Sequence, residues 1–560
     1  MAGASVRQVG ELFGYSLSVF GYALTPRWNI RGKVCRGLAF FPTWSDTWLW
    51  HTRVSLFTLP SIVYGAARMC AEAELHKGDY DGPGDDPLRG KLAPLLYRRL
   101  VTEAIARRPL PDRAERIAGP NDIREAAIVC FSQSATQDDG RNAMATVMRL
   151  LQLQQHDQVD FVYFTIEHYL IKAVIRRLSE RDIDLDAFCQ ARFGLTFDQV
   201  CFLSFAVYAT AARNPGFVFT RQRYWDDSHF NISQEQWETF LDGMALNFAQ
   251  FQEKAISKAV RIEGYETYAL SPLKRWPLVE VDNERYIVPI ARDALERVPF
   301  GFLFDMREAG LSQKAEGTLH EIRGEVFDEF AGRCLRFAKA GQQIYRAEEV
   351  VSAKRTKTKV CDWIVTDAQS VTCIEVKNKH FSLETDMRKE EQYLKKELAK
   401  SGGIVDAIVQ VTETFNVLPN QSIINMNVVK HKFAVIIVHN EHVMLNFQET
   451  RSLIAEVYHE KTGQSGPDID YYIMNDGALT ALTVMLKEGY RLSDFLQWAF
   501  ADSSRLELEA HHAIALFADL DSKPPERHPL WDEMFEVIEQ AQAAFVVWKD
   551  SPGGAEGAEP

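Results

Sequence analysis

The sequence predicts a multi-domain protein of mixed α + α/β class, in which a central α/β domain lies between two helical regions. The 560 residues exceed the size of a single hydrophobic core several times over. Apolar residues recur at helical spacing in both outer parts of the chain, whereas the central part mixes helical patterns with short β-branched runs. The predicted segments are 1–270 (α-helical), 271–314 (β-hairpin and connection), 315–446 (α/β), 447–550 (helical) and 551–560 (disordered tail).

Composition and charge exclude several classes of protein. Hydrophobic residues make up 46% and charged residues 25% of the chain, which excludes collagen-like and wholly disordered proteins. Eight cysteines without a CxxC pair exclude a disulfide framework and a zinc knuckle, so we expect free thiols and a cytoplasmic location. The net charge of −14 means that any nucleic acid would have to bind a local basic surface. The apolar stretch 12–24 lacks a cleavage site and 159–175 contains charged residues, so we expect neither a signal peptide nor a membrane span.

Each element follows from a local pattern. Residues 1–270 have mainly helical periodicity, and two β-rich runs around Asp282–Arg285 predict a hairpin with a four-residue connection. The central pattern predicts a mixed sheet with helices on its faces. Beyond about residue 450 the pattern is helical again, with Ser493 and Asp494 marking a helix start. The central predictions are helices over 316–338 and 383–400 and strands over 342–350, 360–366, 371–377, 404–411 and 432–438.

Three polar residues interrupt the two strands of the central hairpin. Asp362 lies in one apolar strand, and Glu375 and Lys377 lie in the next. With the turn centred between Ala368 and Gln369, Asp362 faces Glu375 directly, and the two Cβ atoms are expected about 4.5–5.5 Å apart. Lys377 follows Glu375 by two residues and therefore projects from the same face.

Two facing carboxylates repel each other and are costly among apolar neighbours. A divalent cation between them removes this conflict, and a lysine beside it can hold a phosphate or a nucleophilic water. The residues therefore indicate metal-assisted hydrolysis of a phosphodiester. The alternative is that Asp362 starts a turn while Glu375 and Lys377 form a solvated ion pair.

The hairpin motif consists of Asp362, a twelve-residue gap and then Glu375-Val376-Lys377, and it lies downstream of an acidic helix. This motif resembles that of the PD-(D/E)XK nuclease superfamily. The resemblance covers about residues 315–446 and implies a restriction-endonuclease-like fold. Cys361 stands where the name-giving proline would be. The resemblance implies that Asp362, Glu375 and the backbone carbonyl of Val376 bind Mg²⁺ or Mn²⁺, and that Lys377 orients or activates the attacking water.

The same resemblance implies further acids and an amide. The first helix of the family often contributes an acid, and Glu325 is the best match, with Glu329 one turn later as an auxiliary candidate and Asp328 less favoured. Some branches place a glutamine on the helix that follows the lysine strand, and Gln392 would fill that position.

A basic segment leads into the Asp362 strand. Residues 333–359 contain eight lysines and arginines against two glutamates. Four of these cations, next to the proposed metal site, are predicted to bind nucleic-acid phosphates. The alternative is a solvated hairpin edge whose lysines block strand addition. The predicted phosphate-binding residues are Lys354, Arg355, Lys357 and Lys359.

The leading hypothesis is therefore a Mg²⁺- or Mn²⁺-dependent endonuclease, with DNA favoured over RNA because the family mostly cuts DNA. The helical regions suggest a protein partner or a homo-oligomer, and by analogy a regulated bacterial repair or antiviral defence role. The alternative hypothesis is a catalytically inactive module of the same fold that binds nucleic acid or protein.

Overall fold

The fold is taken from a computed structural model of the chain. The predicted tail 551–560 and the apolar stretch 12–24 lie outside the described residues. The chain divides into two compact units, and the described residues up to 318 belong to one unit and those from 319 onward to the other. The described residues are 54, 56–75, 93–108, 110, 114–127, 161–181, 183–214, 216–222, 232–257, 271–282, 284–297, 313–338, 341–351, 359–378, 385, 390–421, 423–439, 443–508, 510–520 and 530.

The unit that precedes residue 319 is mainly helical, as predicted, and also contains a four-stranded sheet. The strand order is β1-β4-β3-β2, with β2 parallel to β3 and the other pairs antiparallel. The helices are α1 (Leu59–Leu75), α2 (Ala93–Arg107), α3 (Phe161–Ser179), α4 (Leu185–Phe193), α5 (Phe197–Arg213), α6 (Gln234–Met244), α7 (Phe248–Ile256) and α8 (Ala291–Glu296), and the strands are β1 (Val218–Thr220), β2 (Ala245–Asn247), β3 (Leu278–Asp282) and β4 (Arg285–Ile287).

Local sequence signals explain where several of these helices begin. The N-caps of α5, α6 and α7 are Thr196, Ser233 and Asn247, and each is followed three residues later by a glutamine. In each case the cap side chain accepts from the third backbone N–H while the glutamine accepts from the cap N–H, which forms a capping box. These reciprocal bonds satisfy donors that the first helical turn leaves unpaired.

The predicted hairpin is confirmed, with one difference in its bounds. Asp282 ends β3 and Arg285 begins β4, so these two residues belong to the strands instead of the connection. Arg285 pairs with Asp282 at the hairpin end through an Nε–Oδ2 bond of 2.6 Å. The short strands β1 and β2 are not predicted from the sequence, because three residues are too few to establish a period of two.

The second unit contains a mixed five-stranded sheet with helices on its faces, which confirms the mixed α/β class. The strand order is β5-β6-β7-β8-β9, where β5, β6 and β7 are antiparallel neighbours and β7, β8 and β9 are parallel. The elements are α9 (Gln313–Leu335), β5 (Gln343–Arg346), α10 (Ala347–Val350), β6 (Trp363–Thr366), β7 (Ser370–Lys377), α11 (Glu391–Ala399), α12 (Ile404–Val417), β8 (His431–Val438), α13 (Gln448–Thr462), β9 (Asp470–Asn475), α14 (Asp476–Lys487), α15 (Leu492–Phe500), α16 (Ser503–Leu506) and α17 (Ala510–Ala518).

The predicted strand over 404–411 is wrong, because these residues form the first half of α12. Their buried members recur at helical spacing and continue into Phe415, which places one apolar face on the sheet. A helix is also required here by topology, since β7 and β8 are parallel neighbours and parallel strands need a long crossover connection. A short β-branched run does not by itself distinguish a buried strand from a buried helix.

The region after residue 446 contributes a strand as well as helices. β9 extends the sheet by pairing with β8 from Phe433↔Asp470 to Val438↔Asn475. The helix start predicted at Ser493 is confirmed to within one residue by α15. None of the described helices is both long and apolar enough to cross a lipid bilayer.

Candidate functional site

The predicted register of the central hairpin is confirmed. Trp363 faces Ile374 in the pairing of β6 with β7. Asp362 directly precedes β6, and its N–H donates to the Ile374 carbonyl at 3.0 Å. Regular pairing ends at Trp363 and Ile374, and Asp362 lies close to Glu375 at this end of the hairpin, since its negative charge acts on the Glu375 carboxyl.

Glu375 lies on the face of the sheet that α12 covers. Successive side chains of a strand alternate between faces, so Glu375 shares its face with Cys373 and Val371. Both of these residues belong to the apolar core that α12 completes. Lys377, two residues further along β7, projects from the same face at the end of the strand.

Glu375 is almost completely removed from solvent, with only 1% of its surface exposed. Its Oε1 accepts a hydrogen bond from the Lys377 ammonium, and its Oε2 accepts one from Gln410 Nε2 at 2.8 Å. Burial is the largest cause that raises the pKa of Glu375 to about 8, and the negative charge of Asp362 adds to it, while Lys377 acts in the opposite direction. The sequence alternative is wrong in one part: Glu375 and Lys377 do form an ion pair, but it is not solvated, since the Lys377 side chain is only 12% exposed. Asp362 does lie at a bend directly before β6, outside the strand that the sequence predicts for it.

Asp362 experiences the same conflict in a milder form. Its Oδ2 accepts a hydrogen bond from the Val376 N–H at 2.7 Å. Burial raises the pKa of Asp362 above its usual range, and the charge of Asp328 adds to that effect, while the Val376 bond and two lysines, Lys377 and Lys359, oppose it. Two carboxyl groups thus share a place that disfavours two negative charges.

This donor set suits a hard divalent cation. Carboxylate oxygens are the ligands that Mg²⁺ and Mn²⁺ prefer. A cation between Asp362 and Glu375 would offset both the burial and the repulsion that raise the two pKa values. The Val376 N–H takes part in the site by donating to Asp362 Oδ2. The role of the Val376 carbonyl as a metal ligand stays a prediction.

Gln410 is the functional candidate that sequence reasoning missed. It lies on α12, is 6% exposed, and donates from Nε2 to both Glu375 and the Val360 carbonyl. The residue predicted for this role, Gln392, is exposed on α11 and donates to Glu390 at 2.9 Å. The sequence signal for Gln410 is a single amide side chain among the apolar residues of 404–411. This signal can be recognised only when the segment is assigned to a helix, because only then does Gln410 lie on the buried face.

Asp328 of α9 acts on Asp362. Its charge raises the pKa of Asp362, and its carboxylate accepts hydrogen bonds from Trp363 Nε1 at 2.7 Å and from the Arg346 guanidinium. The sequence favours Glu325 over Asp328 and gives Glu329 as an auxiliary acid. In the structure, Glu325 lies one turn before Asp328 and is half-buried, and Glu329 is exposed. The phase of the helix against the sheet decides between these acids, and the sequence alone does not define that phase.

The basic residues predicted to bind phosphates are only partly described. Lys359 is exposed, and its positive charge lowers the pKa of both Asp362 and Glu375, which places it beside the two carboxylates. Lys354, Arg355 and Lys357 lie outside the described residues, so their role stays a prediction.

The ends of the two parallel strands hold a second buried polar pair. His439 follows β8, and its N–H donates to the Lys377 carbonyl at 2.9 Å. Its Nδ1 lies 3.2 Å from Asp476 Oδ2 at the start of α14, and its ring contacts Phe327 of α9 at 4.7 Å between centroids. The His439–Asp476 pair thus links the end of β8 to α14, and the His439 ring also contacts α9. All of these contacts lie at the end of the sheet where β7 terminates.

Comparison with known proteins gives no relative for this chain. No protein-family model, no curated protein and no solved structure matches it.

The pKa of Glu375 predicts a pH dependence of stability in metal-free protein. In the unfolded chain this carboxyl has its ordinary pKa of 4.5, against about 8 in the folded state. Between these values the folded protein holds a proton that the unfolded chain has lost. The free energy of unfolding therefore falls as pH rises from about 4.5 to 8, by at most about 1.4 kcal/mol per pH unit from this group. Urea unfolding in EDTA at several pH values measures this slope.

Glu375→Gln removes the titrating group while it keeps the side-chain size. Its unfolding free energy is expected to vary less with pH than that of the parent across the same window. Parallel pH curves for the parent and the variant would contradict the raised pKa of Glu375.

Proposed function

We propose that this chain is a metal-dependent nuclease and that its second unit has a restriction-endonuclease-like core of the PD-(D/E)XK type. The observation that supports the proposal most directly is the buried Glu375 carboxyl close to Asp362, with Lys377 beside it. The order of elements supports the fold: α9, the antiparallel strands β5 to β7, the crossover helix α12 and the parallel strand β8.

The proposed reaction is the attack of water on a phosphodiester. Asp362 and Glu375 would hold one Mg²⁺ or Mn²⁺, which would lower the pKa of a bound water and offset the charge of the phosphate. Lys377 would orient the attacking water toward phosphorus. The water oxygen forms the new bond to phosphorus and gives its proton to solvent, while the bond to the leaving sugar oxygen breaks and that oxygen takes a proton from solvent. Gln410 would keep Glu375 in its binding position by holding Oε2.

DNA is the proposed substrate ahead of RNA. The positive charge of Lys359 beside the two carboxylates supports a polyanionic substrate in a chain of net charge −14. A cytoplasmic location is part of the proposal, and the free, buried thiols of the six described cysteines agree with it. A protein partner or homo-oligomer and a bacterial defence or repair role are further parts of the proposal.

Cleavage assays test the proposal directly. The full chain is incubated with plasmid, linear duplex, single-stranded DNA and RNA in Mg²⁺ or Mn²⁺. We expect metal-dependent cleavage that Asp362→Asn abolishes. Lys377→Ala is expected to lower the rate by about 10²–10³-fold, because it removes the group that positions the nucleophile.

Lys432→Ala is the matched control, since Lys432 is an exposed lysine near the start of β8, at the opposite end of the sheet from Lys377. It should cleave like the parent. Cleavage that survives Lys377→Ala would contradict the assignment of the site. If no substrate is cut and Mn²⁺ does not raise the melting temperature, the inactive module is the better description.

A pair of glutamine variants tests the role of the α12 amide. Gln410→Ala leaves Glu375 Oε2 without its amide donor and is expected to raise the Mn²⁺ concentration for half-maximal cleavage by about 10–100-fold, as is typical when the partner of a metal ligand is lost. Gln392→Ala should leave that concentration unchanged, because Gln392 is exposed and bonds to Glu390 instead of a proposed metal ligand. Equal effects of the two variants would contradict the positioning role of Gln410.

A further inference from the structure

Arg346, Trp363 and Asp328 form a compact group beside the proposed metal site. The Arg346 guanidinium carbon lies 3.9 Å from the centre of the Trp363 ring. Asp328 accepts from the Trp363 indole N–H at 2.7 Å with one oxygen and from Arg346 Nη1 with the other. The acid thus fixes both the ring and the guanidinium.

Helix α9, which carries Asp328, also packs directly against the Trp363 ring through Gly332. A Cβ added at Gly332 would lie 1.9 Å from the nearest Trp363 ring carbon, so only glycine allows the helix to approach this closely. Trp363 is 2% exposed, and buried side chains in such tight contact have little freedom to change rotamer. Arg346 therefore lies on a rigid surface.

Arg346 is connected to Asp362 through Asp328, whose carboxylate accepts from the Arg346 guanidinium and whose charge acts on Asp362, and through the backbone of the sheet. Arg346 of β5 faces Trp363 of β6, and Trp363 directly follows Asp362. The ladder continues with the Ala347 N–H, which donates to the Asp362 carbonyl at 3.1 Å. The backbone that holds the guanidinium is thus hydrogen-bonded to the backbone of the proposed metal ligand.

The chemistry of the guanidinium leaves donors for a further acceptor. Stacking on Trp363 uses the face of the guanidinium, whereas its N–H groups point outward in the plane. Asp328 engages Nη1, so the donors on Nε and Nη2 remain for another oxygen. The Arg346 side chain is 28% exposed, which gives an acceptor access from solvent.

We propose that Arg346 binds the backbone phosphate next to the scissile one, and that Asp328 and Trp363 are the positioning residues that hold its guanidinium for this contact. The proposal rests on the proposed nuclease function and names a residue that binds its polyanionic substrate. A planar, pre-oriented guanidinium is well suited to phosphate oxygens. Asp328, with both oxygens bound by protein donors, acts here through Arg346.

Binding measurements separate this role from a structural one. Fluorescence anisotropy with labelled duplex DNA is measured over a range of salt concentrations in the Asp362→Asn background, which prevents cleavage. Arg346→Ala is expected to weaken binding about tenfold, as for the loss of one charge-assisted bond. The slope of log K against log salt should decrease by about 0.9, as for one lost phosphate contact. Arg346→Lys should keep most of the salt slope but recover only part of the affinity, because lysine keeps the positive charge but lacks the planar set of N–H donors of the guanidinium.

Arg451→Ala is the matched control. The Arg451 guanidinium is also stacked on an aromatic ring, 4.0 Å from the centre of Tyr471 on the far edge strand β9. The control loses the same charge and a similar stacking contact, and its affinity and slope should equal those of the parent.

Two outcomes overturn the inference, and they are distinguishable. If Arg346→Ala lowers the melting temperature but leaves affinity and salt slope unchanged, Arg346 has only a structural role and the nuclease proposal stands. If the Asp362→Asn parent binds neither duplex DNA, single-stranded DNA nor RNA, the proposed function fails and the inference fails with it.

Discussion

The arrangement of the second unit depends on the placement of two carboxyl groups against each other in a nearly water-free part of the sheet. Glu375 is 1% exposed and lies close to Asp362, whose charge acts on it, and burial raises the pKa of both groups. Leaving two such groups charged and unpaired costs far more than a typical surface interaction. A sheet selected for stability alone would place apolar residues at both positions.

The surrounding residues reduce this cost without removing it. Lys377 and Gln410 each satisfy one oxygen of Glu375, and the Val376 N–H satisfies one oxygen of Asp362. These partners come from β7 and α12, which are held together by one continuous apolar core. Yet the pKa of Glu375 remains near 8, because burial and the charge of Asp362 outweigh these partners, so the carboxyl is mainly protonated at neutral pH. A divalent cation, as the proposal requires, would instead stabilise the ionised form of both carboxyls.

The part of the site that follows from a short-range pattern could be predicted from the sequence. The register of β6 against β7, which brings Asp362 close to Glu375, follows from the turn at 367–370 and the period of two in each strand, because a one-residue slip would reverse both faces. The identities of Gln410 and Asp328 could not be predicted in this way. Gln410 depends on the crossover that forces 404–417 into a helix, and Asp328 depends on the rotation of α9 fixed by the contact between Gly332 and Trp363. Both are constraints between elements distant in sequence.

The most direct measurement of the central claim is isothermal titration of the metal-free full chain with Mn²⁺ at pH 7, repeated in buffers of different ionisation enthalpy. Because Glu375 has a pKa of about 8, it is mainly protonated at this pH, and a cation that binds its carboxylate must displace that proton. The account predicts one strong Mn²⁺ site per chain with release of about one proton, and the loss of both in Glu375→Gln. Mn²⁺ binding without proton release, or binding that Glu375→Gln leaves unchanged, would contradict it.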